Sequence, residues 1–332
     1  MESTGLRRKV AIRIGPRQAG KSAIEFLTER FRYQTRSGWI REIEAERVRL
    51  NRQPLSAGTP LAPGDILSYH PPENLEPKIR PDYEIVYRDG AVLVINKPGN
   101  LPCHPGGRYF AHTLWGLLKT REGLENIHFV HRLDRETSGL VLIAKDPESA
   151  RICQRQFGDG TVRKGYLAVV EGHFPSEPVI ADGYLIPDTD SPVRKKRQFI
   201  SSDVEAPIPA QAQPCRTRFR ILQHQGPLSL IEARPETGRL HQIRATLCSM
   251  GYPVVGDKIY GVDDTLFLRF MEDLLTPEDR VGLRMDRQAL HASELGFRHP
   301  RTGMMLFFGV PCPAEIDSIF RRIHFPPKER TV

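Results

Sequence analysis

The sequence predicts an α+β fold built on a mixed sheet, with a small separate module in front of it. Three observations carry this. Strand-like runs are many and helices few. The runs do not alternate with helices as a βαβ chain requires. A proline-rich stretch around residues 71–81 separates two textures of sequence. A chain of 332 residues accommodates one large domain or two unequal ones. With 39% hydrophobic and 27% charged residues, its composition is that of a globular protein.

The N-terminal elements come first. Residues 9–14 alternate weakly and fit a strand. Ser22 is placed to cap a helix carrying Ile24, Phe26, Leu27 and Phe31. Ser37 is placed to cap a second helix through Ile40, Ile43 and Val48. Short strands and turns follow at Arg49–Pro54, Leu61 and Gly64–Tyr69. Pro71, Pro72, Pro77 and Pro81 then mark a linker, because proline removes a backbone donor and fixes φ. Beyond it, strands are expected at Glu84–Tyr87, Val92–Asn96, Leu140–Lys145, Tyr166–Val170, Arg218–Leu222, Leu228–Ala233 and Met305–Val310. One helix is expected from Arg239 to Met250, a helical insertion over 262–286, and a loose tail beyond Phe325. The expected organisation is a basic segment 1–18, a small domain 19–73, a linker 74–82, a large domain 83–312 and a tail 313–332.

Several classes are excluded. The most apolar stretch, Gly139 to Ala144, is far short of a bilayer span, so no membrane association is expected. Met1 to Lys9 has basic residues but no apolar core behind them, unlike a signal peptide. Cys103, Cys153, Cys215, Cys248 and Cys312 are scattered singly, which argues against a disulfide framework or zinc cluster and for the cytoplasm. The net charge of +8 is unevenly spread. Residues 1–80 hold 15 Lys and Arg against 9 Asp and Glu, a surplus of six. Such asymmetry points to a nucleic-acid partner. A second basic cluster, Arg194, Lys195, Lys196 and Arg197, lies in a polar loop, where by charge alone a solvated run fits better than a binding site.

Gly15 to Ser22 matches the phosphate-loop pattern, with Lys21 and Ser22 at its end. The following element does not return to a parallel strand, and no apolar strand ending in a metal-binding Asp is near. A nucleotide site is therefore rejected.

The segment His131-Arg132-Leu133-Asp134-Arg135-Glu136-Thr137-Ser138-Gly139 is the most informative. Asp134 stands between two arginines before a Thr-Ser-Gly turn. Neighbouring cations keep a carboxylate ionised, which suits a nucleophile or a base. By spacing alone, an Asp capping the turn and pairing with an arginine fits better. A glycosidase pair of Asp134 and Glu136 fits poorly, since residues two apart in a turn seldom straddle a sugar.

This segment resembles the signature of RluA-type RNA pseudouridine synthases, and other segments match in order. They are Lys164 to Gly172, Gly238 to Arg244, Gly251 to Asp257 with Tyr260-Gly261, and Arg287 to Ala292 with His299-Pro300. Leu240 and Thr246 depart from it, standing where Thr and His are usual. Residues 20–72 resemble the small RNA-binding domain known from ribosomal small-subunit protein S-four. The resemblance implies a mixed, mostly antiparallel sheet with flanking helices, and an isomerase that acts on RNA with no cofactor and no metal. It implies that Asp134 is the catalytic carboxylate, that Arg244 pairs with it, and that Tyr166 lines the pocket against the uracil. It implies that Arg132 fills the space left by a flipped base. The RNA expected is large-subunit ribosomal RNA, with transfer RNA as the alternative, and a monomer is expected. The competing reading is a non-catalytic RNA-binding or assembly factor that keeps the fold, against which the intact Asp134, Tyr166 and Arg244 set argues. Arg194, Lys195, Lys196 and Arg197 are expected to touch RNA phosphates.

Overall fold

The computed structural model describes residues 10–31, 34–71, 76–204, 208–261 and 263–318. The basic segment before residue 10, residues 72–75 with Pro72 and the start of the expected linker, and the tail after 318 lie outside them. The chain divides into two compact units, residues 1–78 with 104–123, and residues 79–103 with 124–332.

In the first unit a four-stranded antiparallel sheet has the order β1-β4-β2-β3, with β1 Val10–Arg13, β2 Val48–Leu50, β3 Gln53–Pro54 and β4 Ile66–Tyr69. Helices α1 (Ala23–Arg30) and α2 (Arg36–Glu44) supply its core. Trp39, Leu27, Ile24, Val48 and Leu67 are buried together there. Ser22 caps α1 as expected, in a reciprocal box with Glu25 that satisfies two orphan donors. The cap of α2 is Thr35 rather than Ser37, its hydroxyl accepting from Gly38 N–H at 3.1 Å. Ser37 is already inside the first turn, so the helix begins earlier than the sequence suggested. The supposed phosphate loop is otherwise engaged, with Lys21 paired to Glu29 and Ser22 acting as the cap. Residues 104–123 join this unit through Glu76, whose carboxylate accepts from the N–H groups of Phe110, Ala111 and His112 at 2.7–2.8 Å. They carry helix α3 (Leu114–Arg121), capped by Thr113.

The second unit is an eleven-stranded sheet. Its strands are β5 Glu84–Arg88, β6 Val92–Lys97, β7 His128–Phe129, β8 Ser138–Ala144, β9 Arg163–Glu171, β10 Val179–Pro187, β11 Arg197–Ser201, β12 Gln213–Gln225, β13 Leu228–Pro235, β14 Leu290–Arg298 and β15 Met305–Gly309. Nine run in the order β11-β10-β12-β13-β9-β14-β8-β6-β5, while β15 pairs with β14 and β7 with β8. Every pairing is antiparallel except β14 with β8. This is the mixed, mostly antiparallel α+β sheet that the sequence predicts. β8 is buried along its whole length, which matches its unbroken run of apolar residues. β14 is not among the expected strands: it is buried on both faces like β8, but His291, Ser293 and Glu294 interrupt its apolar residues, so it shows neither alternation nor a continuous apolar run. Helices α4 (Pro147–Gly158) and α5 (Gln242–Ser249) flank the sheet, and α6 (Thr265–Met271) and α7 (Pro277–Leu283) form the insertion. A last turn, α8 (Ala314–Asp317), buries Ile316 in the main core, so the start of the expected tail belongs to the folded unit.

Candidate active site

The register of three central strands builds the site. Ala292 of β14 faces Gly139 of β8 on one side and Tyr166 of β9 on the other. This row places Tyr166 beside the turn that carries Asp134. The approach at Gly139 is so close that a Cβ there would meet the Ala292 carbonyl at 2.2 Å, and its φ of +113° is open only to glycine. The turn itself is pinned from behind. The Lys97 ammonium, fully buried, donates to the carbonyls of Pro98 and Arg135, at 2.9 and 3.3 Å. Leu101 N–H also reaches the Arg135 carbonyl, and Arg287 donates to the Glu136 carbonyl at 3.1 Å. Burial holds the Lys97 amine down at about 8. His131, at the head of the motif, stacks on Phe157 and accepts from Leu142 N–H through Nε2 at 3.1 Å. It anchors the motif to β8.

Arg244 comes from α5. The turn before that helix is held by Lys164, which donates to the Thr237 carbonyl at 3.0 Å, and by Gln242, whose amide reaches Thr217 at 2.9 Å. The helix starts later than the sequence suggested, because His241 takes a left-handed conformation at its N-cap. From the buried face of α5, the Arg244 guanidinium donates from Nη1 to Asp134 Oδ2 at 2.7 Å. Its Nε and Nη2 form a fork with Asp257 at 2.5 and 2.7 Å. Asp257 in turn accepts from the N–H groups of Ile259 and Tyr260 at 2.9 and 3.1 Å. One buried cation thus serves two carboxylates, and the net charge of the cluster is negative.

Asp134 keeps 30% of its side-chain surface open, so it is the accessible one of the pair. Burial pushes its carboxyl up, but Arg244 and the hydrogen bonds outweigh this and hold it at about 2. Asp257 is likewise held low by Arg244 against burial. Tyr166 packs against the main core, and burial, with the charge of Asp134 beside it, pushes its phenol up to about 12. It is a protonated, apolar-faced ring next to an ionised carboxylate.

The two arginines that flank Asp134 in the sequence are not its partners. Arg132 is exposed. Arg135 pairs with Glu136 at 3.1 Å and lies over the Phe270 ring at 4.5 Å. Glu136 is taken by Lys258, whose ammonium sits 3.0 Å from it. Successive side chains of a turn diverge, so the cation that reaches Asp134 comes from 110 residues away. Sequence reasoning did not single out Asp257, His241 or Lys258. The Gly251 to Asp257 segment is the signal for the first of them and the Gly238 to Arg244 segment for the second, though neither residue is assigned a role there.

The basic cluster is split by the fold. Arg194 and Lys195 are exposed in a turn before β11. Lys196 is turned inward, with its ammonium 3.0 Å from Asp264 and 3.4 Å from Asp188. Arg197 opens β11, and its guanidinium donates to the carbonyls of Arg194 and Lys196 at 3.4 and 3.0 Å. Among the described residues no helix is long and apolar enough to cross a membrane.

Residues 91–249 match the family model described as RNA pseudouridylate synthase. The chain is 32% identical to a ribosomal large subunit pseudouridine synthase D of Zymomonas mobilis, over 76% of each chain. It is 29% identical to a ribosomal large subunit pseudouridine synthase C of Vibrio cholerae, over 92% of this chain and 94% of that one. The solved structure of human RNA Pseudouridylate Synthase Domain Containing 1 is similar with a TM-score of 0.55 and 26% identity, over 71% of this chain and 86% of that one. The matched segment spans the turn of Asp134, the strand of Tyr166 and the helix of Arg244, and the chain belongs to the RNA pseudouridylate synthase family, an isomerase that turns uridine in RNA into pseudouridine.

Proposed function

We propose that this chain forms pseudouridine at specific uridines of large-subunit ribosomal RNA, with Asp134 as the reacting carboxylate. The observation that carries the site assignment is the 2.7 Å contact of Arg244 Nη1 with Asp134 Oδ2 in an otherwise buried cluster. It leaves an ionised carboxylate with one oxygen fixed and part of its surface open to a substrate. The reaction breaks an N–C glycosidic bond, turns the base and closes a C–C bond. It is an isomerisation, and the residues in place supply what it requires. Asp134 acts at the nucleoside, Arg244 keeps it charged and oriented, and Tyr166 offers a flat ring to the uracil. The base must first leave its stack, at a cost of about a few kcal/mol. Arg132, exposed two residues before Asp134, is suited to fill the gap with a planar, hydrogen-bonding group.

The names of the relatives from Zymomonas mobilis and Vibrio cholerae support ribosomal RNA as the substrate. So does the positive surplus of the sequence over residues 1–80, whose described part up to Tyr69 has the helix–helix–strand order of a small RNA-binding domain. The exposure of Arg194 and Lys195 supports reading these two members of the basic cluster as phosphate contacts. The test is mapping of pseudouridines in ribosomal and transfer RNA from cells with and without the protein, complemented by wild type or by Asp134→Asn. Loss of a large-subunit site that only wild type restores is the expected result. A site lost only from transfer RNA would overturn the substrate reading.

A further inference from the structure

Asp134 has a second neighbour besides Arg244. His241 Nε2 lies 3.7 Å from Oδ1, the oxygen that Arg244 does not hold. That is too long for a hydrogen bond, yet one small shift on substrate binding closes it. The other ring nitrogen, Nδ1, is 3.0 Å from the Tyr260 hydroxyl. That hydroxyl oxygen already accepts from the backbone N–H of Arg197 at 2.8 Å. The polarity of the chain follows. Tyr260 has one proton to give, its side chain is buried, and His241 Nδ1 is the acceptor in reach. The ring proton therefore sits on Nε2 and faces Asp134. The opposite tautomer leaves the buried phenol proton without this acceptor and turns a lone pair toward a carboxylate, which is unfavourable twice over.

The surroundings agree. Burial, then Arg244, hold the imidazole at about 4 against the pull of Asp134 and Asp257, with Lys195 lowering it a little further. The ring is neutral at physiological pH. Burial keeps the Tyr260 phenol protonated, well above its ordinary value. The Tyr260 ring also lies under Arg244, with the guanidinium carbon 5.0 Å from its centroid, and stands edge-on to His241. His241 has φ of +57°, a conformation that costs a non-glycine residue energy and that histidine tolerates better than most.

We propose that His241 is a positioning residue for Asp134, a neutral donor whose Nε2–H tautomer is set by Tyr260 and the Arg197 N–H, so that the turn bearing Arg194 and Lys195 is wired to the reacting carboxylate. It rests on Asp134 being that carboxylate. In this arrangement His241 cannot take a proton from the substrate. Once substrate binding closes the 3.7 Å gap, it holds Oδ1 in place and favours the charged form of Asp134. An RNA phosphate that shifts the 194–197 turn then moves the first donor of the relay.

The experiment compares His241→Gln, which returns an N–H donor at the end of a side chain of similar reach, with His241→Met, which does not. His241→Met is expected to lower kcat by about a hundredfold with KM changed by less than about threefold. His241→Gln is expected to recover at least about tenfold of that loss. Nitrogen NMR of the wild-type protein with labelled histidine is expected to show a protonated Nε2 and a bare Nδ1 on His241, with that preference lost in Tyr260→Phe. Equal kcat for the Gln and Met variants, or a protonated Nδ1 in the wild type, would overturn the proposal. Asp134→Asn is assayed beside them. If it stays active, the assignment of Asp134 falls, and if it is dead while Gln and Met are equal, only the relay falls.

Discussion

Asp257 takes two of the three nitrogens of Arg244, at 2.5 and 2.7 Å, and thereby aims the third at Asp134. The pair is closed on the other side by two backbone donors, so neither partner can turn. Removing Asp257 leaves a buried guanidinium without two of its three hydrogen bonds. Asp257→Ala is expected to cost about 3–5 kcal/mol, read as a lowered urea midpoint, and to lower kcat as well. A stability loss under about 1 kcal/mol would show that the fork is not what holds Arg244.

Asp134→Asn keeps the shape of the cluster and removes its accessible charge. Pseudouridine formation is expected to fall by at least about a thousandfold, or about 4 kcal/mol in the barrier, while RNA affinity stays within a few fold. Filter binding and a pseudouridine assay on the same transcript read both quantities.

Acid should weaken the fold in a specific window. His241 and His291 are held at about 4 and about 3, first by burial and then by Arg244 and Arg287 respectively. Their folded values lie below the ordinary value of 6.5, so the unfolded chain binds protons that the folded chain refuses. Their neutral burial costs nothing above pH 6.5 and destabilises progressively as pH falls from there toward 4. At pH 5 each contributes a loss of about 2 kcal/mol relative to pH 7. Urea titrations at the two pH values should show this loss, reduced in His291→Gln. An equal loss in that variant would contradict the reading.

The close pass of β8 and β14 tolerates no side chain at residue 139. Gly139→Ala is expected to cost about 3 kcal/mol or more, since its Cβ would overlap backbone and its φ would be strained. Thermal unfolding is the measurement, and a shift of only a degree or two would refute the backbone argument.

Within the 194–197 cluster the two exposed residues and the inward one should behave differently. Arg194→Ala with Lys195→Ala is expected to reduce the slope of log affinity against log salt by about 1.5, the value for two phosphate contacts. Lys196→Ala breaks the pairs with Asp188 and Asp264, and its effect should appear in stability rather than in the salt slope. Identical salt slopes for the double variant and wild type would remove Arg194 and Lys195 from the RNA interface.

What the sequence determined by itself is local and contiguous. Ser22 and Glu25 announce the start of α1 because both halves of the cap lie within one turn. The apolar run after Gly139 announces β8 because a strand buried on both faces needs no partner to be recognised. For Asp134, spacing alone favours a turn cap paired with an arginine, and only the resemblance of its segment and of the segments carrying Tyr166 and Arg244 to the family's motifs singles these three residues out. Only the tertiary structure decided who touches whom. Arg132 beside Asp134 is exposed, Arg135 lies over Phe270 and pairs with Glu136, and Arg244 reaches Asp134 because α5 is clamped by Gln242 and Lys164. Asp257, His241 and Tyr260 gain meaning only at distances of 2.5 to 3.7 Å that sheet register and a left-handed N-cap impose. β14 is hidden because His291, Ser293 and Glu294 break its apolar run while burial on both faces removes alternation, and Lys196 reads as part of a solvated run although the fold sets Asp264 of the insertion beside it. Periodicity and caps are written over a few residues, whereas charge pairing falls off with distance in space and is fixed only once the chain has closed on itself.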